Sequence, residues 1–296
     1  MKGKNLQGYA FLSPFLLLIS IFYIAPAILT IIMSFSSLDG SFIWEFVGFE
    51  NYGKIFRDPN TFLILRNTVL YIVISMIIIV VLDLFIATLT TYFIRSDGWA
   101  GFFKSIIMIP MITPSVVYSV LWIWYLDASD SGFINNFIHL FNNEFISVNW
   151  IAKYPFQVII LAQVVVSLAY GAIIFSSAIR SIPENQFKAA HVDGAGEWEI
   201  VKTIIIPNIR PHIKFIIMWE TLGLMTNYLN ILLITNGGPL NRTEVWALSA
   251  YHKAFIDQQY GYGAAISVLL ILVVFMIMLL GMFASKTRKE SKESEE

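Results

Sequence analysis

The chain has no cysteine. That excludes disulfides, thiolate metal sites, iron–sulfur clusters and a cysteine nucleophile. It is also short of charge. Only 13% of its 296 residues are Asp, Glu, Lys or Arg, roughly half the share of about 25% found in soluble domains. So little charge cannot coat a water-soluble globule, and a chain this apolar is not intrinsically disordered. Neither sign dominates, with 19 basic against 20 acidic residues, so the basic footprint of a nucleic-acid binder is missing. No G-x-x-x-x-G-K-[ST] phosphate loop and no H-E-x-x-H metal pair occurs, and the four histidines are dispersed at His139, His191, His212 and His252. What the chain has in abundance is apolar surface, with 57% hydrophobic and 15% aromatic residues. These proportions define an integral membrane protein.

The charges mark out the spans. Uncharged runs of 34, 22, 26, 21 and 28 residues follow Lys4, Lys104, Lys153, Glu220 and Asp257, and a further run from Arg66 to Arg95 is broken only by Asp83. About 20 apolar residues cross a bilayer as a helix, and backbone groups cannot stay unpaired in hydrocarbon. The pattern predicts an all-α polytopic protein, a single transmembrane domain over residues 1–296. Six transmembrane helices are placed near 10–33, 67–94, 104–126, 156–180, 212–234 and 264–285. The first is too long for a cleaved signal peptide. Six spans put both termini on one side. That side carries 13 Lys and Arg against 6 on the other, which makes both termini cytoplasmic. The tail at 286–296 mixes both signs and reads as a solvated cytoplasmic end.

The longest cytoplasmic segment, 181–210, carries consistent local signals. Ser181 and Glu184 have capping-box spacing with Pro183 between them, which predicts a helix from Ile182. Phe187, Ala190 and His191 share a face. Asp193-Gly194 marks the stop. A second short helix from Glu197 is expected to run until Pro207 breaks it. A short helix, a tight elbow and another helix make either an ordinary amphipathic loop or a coupling element, in which Phe187 anchors in a partner's groove.

The run Lys188-Ala189-Ala190-His191-Val192-Asp193-Gly194-Ala195, with Ile206-Pro207 downstream, resembles the EAA loop of ABC importer permeases. Lys188 departs from the Glu usual at that position, which inverts or removes one contact with the ATPase. The rest of the chain resembles the carbohydrate-uptake permeases of the maltose and glycerol-phosphate type. The shared motifs are Phe46-Val47-Gly48-Phe49-Glu50-Asn51-Tyr52, Asp58-Pro59, Asn67-Thr68, Ile109-Pro110, Pro114-Ser115, Trp122, Gly132, Ile134-Asn135, Thr235-Asn236-Gly237-Gly238-Pro239, Tyr251, Ala254-Phe255 and Gly261-Tyr262-Gly263-Ala264-Ala265.

The resemblance implies a non-catalytic permease subunit in the cytoplasmic (inner) membrane, surrounded by lipid. Its partners are a second, homologous permease subunit in a heterodimer, two ATPase subunits, and an extracytoplasmic binding protein that delivers the solute. The chain itself binds no cofactor; ATP and Mg are used by the ATPase. The implied coupling residues are Glu184, Phe187, Lys188, Ala189, Ala190, His191, Asp193 and Gly194. Closure of the ATPase pair on ATP drags residues 182–193, tilts spans three to five and switches the cavity outward.

Polar groups in hydrocarbon are costly and face a bundle interior or a water-filled path. Glu220, Gly223, Asn227 and Asn230 form one helical stripe flanked by Thr226 and Tyr228, and Gln163, Ser167 and Tyr170 form another. Amides and aromatic rings suit a sugar path; the alternative is glue between helices. No Lys or Arg lies deep in a span, which favours a neutral sugar or oligosaccharide over glycerol-3-phosphate or another polyol-like solute. Asp83 and Glu220 are the intramembrane carboxylates. Proton carriage in a secondary transporter is one reading of them, and hydrogen bonding within the permease pair is the other.

Overall fold

The computed structural model describes the backbone of residues 2–293 and the side chains of 11–279. Lys2, Lys4 and the tail at 286–296 therefore have no described side chains, and residues 294–296 lie outside the described residues altogether. Helices α1 (Lys2–Ile19) and α2 (Ala25–Ser34) are joined by a π turn, Ser20–Ile24. There follow α3 (Glu50–Arg57) and α4 (Thr61–Thr88), the latter continued by a π turn at Leu89–Phe93. Then come α5 (Asp97–Ile112), α6 (Ser115–Tyr125), α7 (Phe133–His139), α8 (Trp150–Lys153) and α9 (Pro155–Arg180). The loop holds α10 (Glu184–Val192) and α11 (Glu197–Ile200), and a π turn at Val201–Ile205 leads into α12 (Ile206–Thr226). The chain ends with α13 (Leu229–Ile234), α14 (Trp246–Tyr251), a π turn at His252–Ile256 and α15 (Tyr260–Glu293). Among the described residues the only β structure is an isolated bridge between Ser36 and Phe46.

Among the described residues four helices are long and apolar enough to cross a membrane: Phe11–Ser34, Thr61–Phe93, Pro155–Arg180 and Tyr260–Leu279. They overlie four of the six predicted segments. The other two segments are broken. The expected continuous helix over 104–126 is instead α5 and α6, bent by 100°. Proline forces its predecessor out of the helical region, and Thr113 and Pro114 are both extended, at ψ 130 and 134. The Thr113 amide bonds Pro110 O (3.2 Å), and its hydroxyl takes the freed Ile109 carbonyl (2.7 Å). The expected helix over 212–234 breaks at Asn227–Tyr228, where Asn227 is extended at ψ 120.

The chain divides into two compact units. One comprises residues up to Phe62 together with Trp246–Leu280. In it the Asn51 side chain donates to Ser34 O (3.1 Å) and Ser36 O (2.8 Å), holding α3 against the end of α2. Gly261 N bonds Leu38 O (2.8 Å) in the same stretch, and Trp246 Nε1 donates to Ile266 O on α15 (2.9 Å). Ile55, Ala250, Ala265 and Ile266 form the core between these elements.

The other unit comprises Leu63–Val245 and residues from Gly281 on, and α9 is its axis. Its core includes Ala87, Phe175, Ile205, Ile209 and Ile216, none with any exposure. In a bilayer, lipid is as apolar as leucine, so such helices associate through packing and polar bonds rather than through removal of apolar surface from water. Asn67 on α4 donates to Asn241 O (2.9 Å) and Glu244 O (3.2 Å), closing the turn that follows α13.

Asn135 is fully buried and organises the loop between α6 and α9. Its amide nitrogen donates to Asp127 O, Ser129 O and Val148 O, and its oxygen accepts from Val148 N and Trp150 Nε1. In the same loop the hydroxyl and the amide of Ser129 donate to Asp127, which holds that carboxyl below its usual range. Asn135→Ala removes the bonds to the Asp127 and Val148 carbonyls and to two donors, while the Ser129 carbonyl keeps the Gly132 amide. It is expected to destabilise the chain by about 3 kcal/mol or more, since each stranded buried group costs ~1–3 kcal/mol. Thermal unfolding in detergent reads the loss, and an unshifted midpoint contradicts it.

Candidate functional site

Two clusters of the second unit hold the residues singled out in the sequence. The first is the loop. α10 begins at Glu184 after Pro183 (ψ 131) and has no side-chain cap. The capping box predicted from Ser181 and Glu184 does not form, because the Ser181 hydroxyl turns back to donate to Ala178 O on α9 (2.7 Å). The stop falls where predicted. Gly194 has φ +79, its amide bonds His191 O (3.2 Å), and the Ala195 amide bonds Ala190 O (2.9 Å). This pair of bonds is the Schellman arrangement, which satisfies the last carbonyls of the helix. Pro207 does not end the second helix as expected. The widened π turn at Val201–Ile205 displaces the carbonyls its ring would strike, and Pro207 falls in the first turn of α12. The same device precedes Pro26, after the π turn Ser20–Ile24.

Glu184, Lys188, Ala189, His191, Asp193 and Gly194 are exposed, and Ala190 is half-buried. Lys188 pairs with Glu184 one turn earlier at 3.0 Å. Both side chains are largely in solvent, so the pair adds little stability, but the departing charge is balanced on its own helix. Phe187 is the exception to the outward face. Its ring stacks on Tyr92 (5.6 Å between centroids, 27°) and packs into the core. Half-buried, it is held by the adjacent aromatic surface of its own chain at Tyr92. Tyr92, Phe93, Glu197 and Trp198 carry no periodic signal in the sequence; an aromatic pair at the end of a span is the only hint of them.

The second cluster is polar and lies between α9, α12 and α13. The predicted stripe of Glu220, Gly223, Asn227 and Asn230 is not one face of a helix, because the backbone breaks inside it. Gly223 is exposed, with open space where a side chain would project. Asn227 reaches across to α9 and donates to Gln163 Oε1 (2.5 Å), whose amide donates to Ser167 Oγ (3.0 Å). Ser167 in turn approaches the buried Glu220 carboxyl. The two predicted stripes thus meet in one chain of bonds from Asn227 through Gln163 to Ser167. Asn230 accepts from Ser119 of α6 (3.4 Å), and Tyr170 is stacked on Trp219 (5.6 Å, 28°). Tyr228 is half-buried beside the break. Thr226 donates its hydroxyl back to Leu222 O and Gly223 O (3.1 and 3.2 Å) in the last turn of α12. A shallow groove of ≈ 570 Å³ beside Ile146–Asn149 and Lys153 includes none of these residues.

Asp83 stands apart. It is fully buried on α4, and its carboxyl packs against the α carbon of Gly171 on α9. Neither oxygen has a hydrogen-bond partner of ordinary geometry among the described residues. The nearby Ala172 amide is already engaged in the helical ladder of α9. Asp83 is thus held against α9 of its own chain.

Apolar helices with a polar seam, one interrupted at Asn227–Tyr228, and joined by a short two-helix elbow, define a membrane transport protein. Its relatives identify it further. Residues 95–289 match the family described as "Binding-protein-dependent transport system inner membrane component", and the chain belongs to that family. It is 31% identical over 273 residues to a Pyrococcus horikoshii protein named "Probable ABC transporter permease protein PH1215", covering 91% of this chain and 92% of that one. It is 26% identical over 293 residues to the lactose transport system permease protein LacF of Rhizobium radiobacter, covering 96% of each. Its fold matches a subunit of a bacterial ABC transporter that imports the acidic polysaccharide alginate, at TM-score 0.85 and 19% identity over 96% of each chain.

Proposed function

We propose that this chain is one of two permease subunits of an ATP-driven importer for a sugar or oligosaccharide. The six segments cross the cytoplasmic membrane with both termini inside. The 181–210 loop receives the motion of a separate ATPase, and an extracytoplasmic binding protein delivers the solute. The observation that carries the substrate path is the break at Asn227–Tyr228. Non-helical backbone at membrane depth is tolerated only inside protein or along a water-filled cavity, and broken helices recur where transporters bind solutes at the midplane. Here the break joins the amides of Asn227 and Gln163, with Asn230 and Tyr228 next to it in the chain, and the stacked rings of Tyr170 and Trp219 lie about two turns further along α9 and α12. Hydroxyls of a sugar exchange bonds with such amides, and its C–H faces lie on such rings. The lactose permease relative supports this solute class.

Asn227→Leu keeps the volume and removes the amide. Sugar uptake is expected to fall by at least about fivefold, the equivalent of one hydrogen bond of ~1 kcal/mol, while the assembled transporter is recovered at wild-type yield. The assay is uptake of a panel of radiolabelled di- and oligosaccharides by cells carrying the whole system. Unchanged uptake of every sugar that the wild type imports removes Asn227 from the path.

A further inference from the structure

We infer that the π turn Leu89–Phe93 is a clamp that passes movement of the 181–210 loop into α4, with Tyr92 as its positioning residue. The inference deepens the reading of that loop as the receiver of ATPase motion, and rests on it. By covalent connection the loop leads only to α9 and α12, and nothing in the chain order ties it to α4. The tie is made by side chains. The Tyr92 ring stacks on Phe187 of α10 at 5.6 Å and 27°, and its hydroxyl donates to the Glu197 carboxylate of α11. Phe93 lies against Trp198 of α11 at 5.7 Å, and the Tyr92 and Phe93 rings meet edge-on at 5.1 Å. One residue before Tyr92, the Thr91 hydroxyl accepts from Lys104 Nζ of α5 (3.2 Å).

This short π turn thus grips both helices of the loop and the helix that follows α4. The geometry is that of a joint. α10 has nine residues, too few to persist by its own hydrogen bonds, and α11 has four. Each is oriented by what it packs on. Stacked and edge-on rings resist shear because their attraction depends on ring geometry, and the tyrosine hydroxyl adds a directional bond to a charged acceptor. A displacement of α10 and α11 therefore carries the end of α4 with it instead of sliding past.

Because this chain has no cysteine, cysteines introduced at the exposed Asn185 of α10 and Phe85 of α4 carry spin labels with no other site in the subunit. The pair is measured in the complete transporter, in lipid nanodiscs, before and after trapping with ATP and vanadate. In the otherwise unaltered chain the distance is expected to stay the same on trapping, because loop and α4 move together. With Tyr92→Leu it is expected to shift, and with Phe187→Leu, which breaks the stack from the other side, to shift likewise. Tyr92→Phe keeps the stack and is expected to restore the unshifted distance. A shift already present with Tyr92 intact, or none in both leucine variants, overturns the clamp. Failure of the underlying reading has a separate signature: the ATPase then co-purifies with a chain lacking 184–194.

Discussion

Gly171→Ala is expected to abolish recovery of folded, monodisperse protein, and Asp83→Ala placed beside it is expected to restore it. A β carbon at 171 would overlap an Asp83 carboxylate oxygen and come within 2.7 Å of its Cγ and 3.2 Å of its Cβ. Asp83 has a short side chain and no exposure, so it has nowhere to swing, and α4 and α9 must separate. Overpacking a well-filled core costs about 1–3 kcal/mol, and parting two helices along a membrane-buried seam also forfeits the dispersion attraction between their facing side chains. Asp83→Ala alone removes a buried carboxyl whose oxygens have no ordinary hydrogen bond. Deleting an unsatisfied buried polar group is neutral or stabilising, so this variant is expected to melt at or above the wild-type temperature. Size-exclusion profiles and detergent melting curves of the four combinations form a double-mutant cycle. Additive effects in that cycle contradict the packing account. If Asp83→Ala is stable yet transport-deficient, the carboxyl serves the transport cycle beyond packing.

Gly194→Pro is expected to leave the chain inserted and soluble in detergent but unable to retain its ATPase. Gly194 sits at φ +79, whereas proline is locked near −65°. Its amide, absent in proline, bonds His191 O, and the neighbouring Ala195–Ala190 bond depends on the same turn. Both bonds of the helix stop are lost together. The loss of the stop falls on a helix of nine residues, too short to persist without it. Nothing lies within 4 Å of a side chain at 194, so the effect arises from backbone conformation and not from crowding. Gly194→Asn, a residue that tolerates the left-handed conformation, is accordingly expected to retain the ATPase. Wild-type co-purification with the proline variant would falsify the loop as the docking element.

Features governed by neighbouring residues are legible in the sequence. Long uncharged runs mark helices, since hydrocarbon leaves a chain few other options. Gly194 marks the loop's stop because a single φ requires it. Gln163 and Asn227 stand out as polar groups in apolar runs, and they bond each other. Local signals fail where distant groups compete. Ser181 has the spacing of a cap, but a carbonyl of α9 holds its hydroxyl. Pro207 has the chemistry of a breaker, but a π turn removes the clash. The break at Asn227 has neither proline nor glycine at it; Gln163, 64 positions away in the chain, engages its side chain.

Composition alone determined that this is a helical membrane protein without thiol chemistry, because charge content and apolar run length are properties of the chain itself. The tertiary structure alone decided which helices are interrupted, that Asp83 is sealed against Gly171, and that Phe187 faces inward onto Tyr92. The reason is physical. In lipid every helix face is equally content with its surroundings, so the choice of face and the place of a break are settled by close packing and by the few polar side chains that find one another across the bundle.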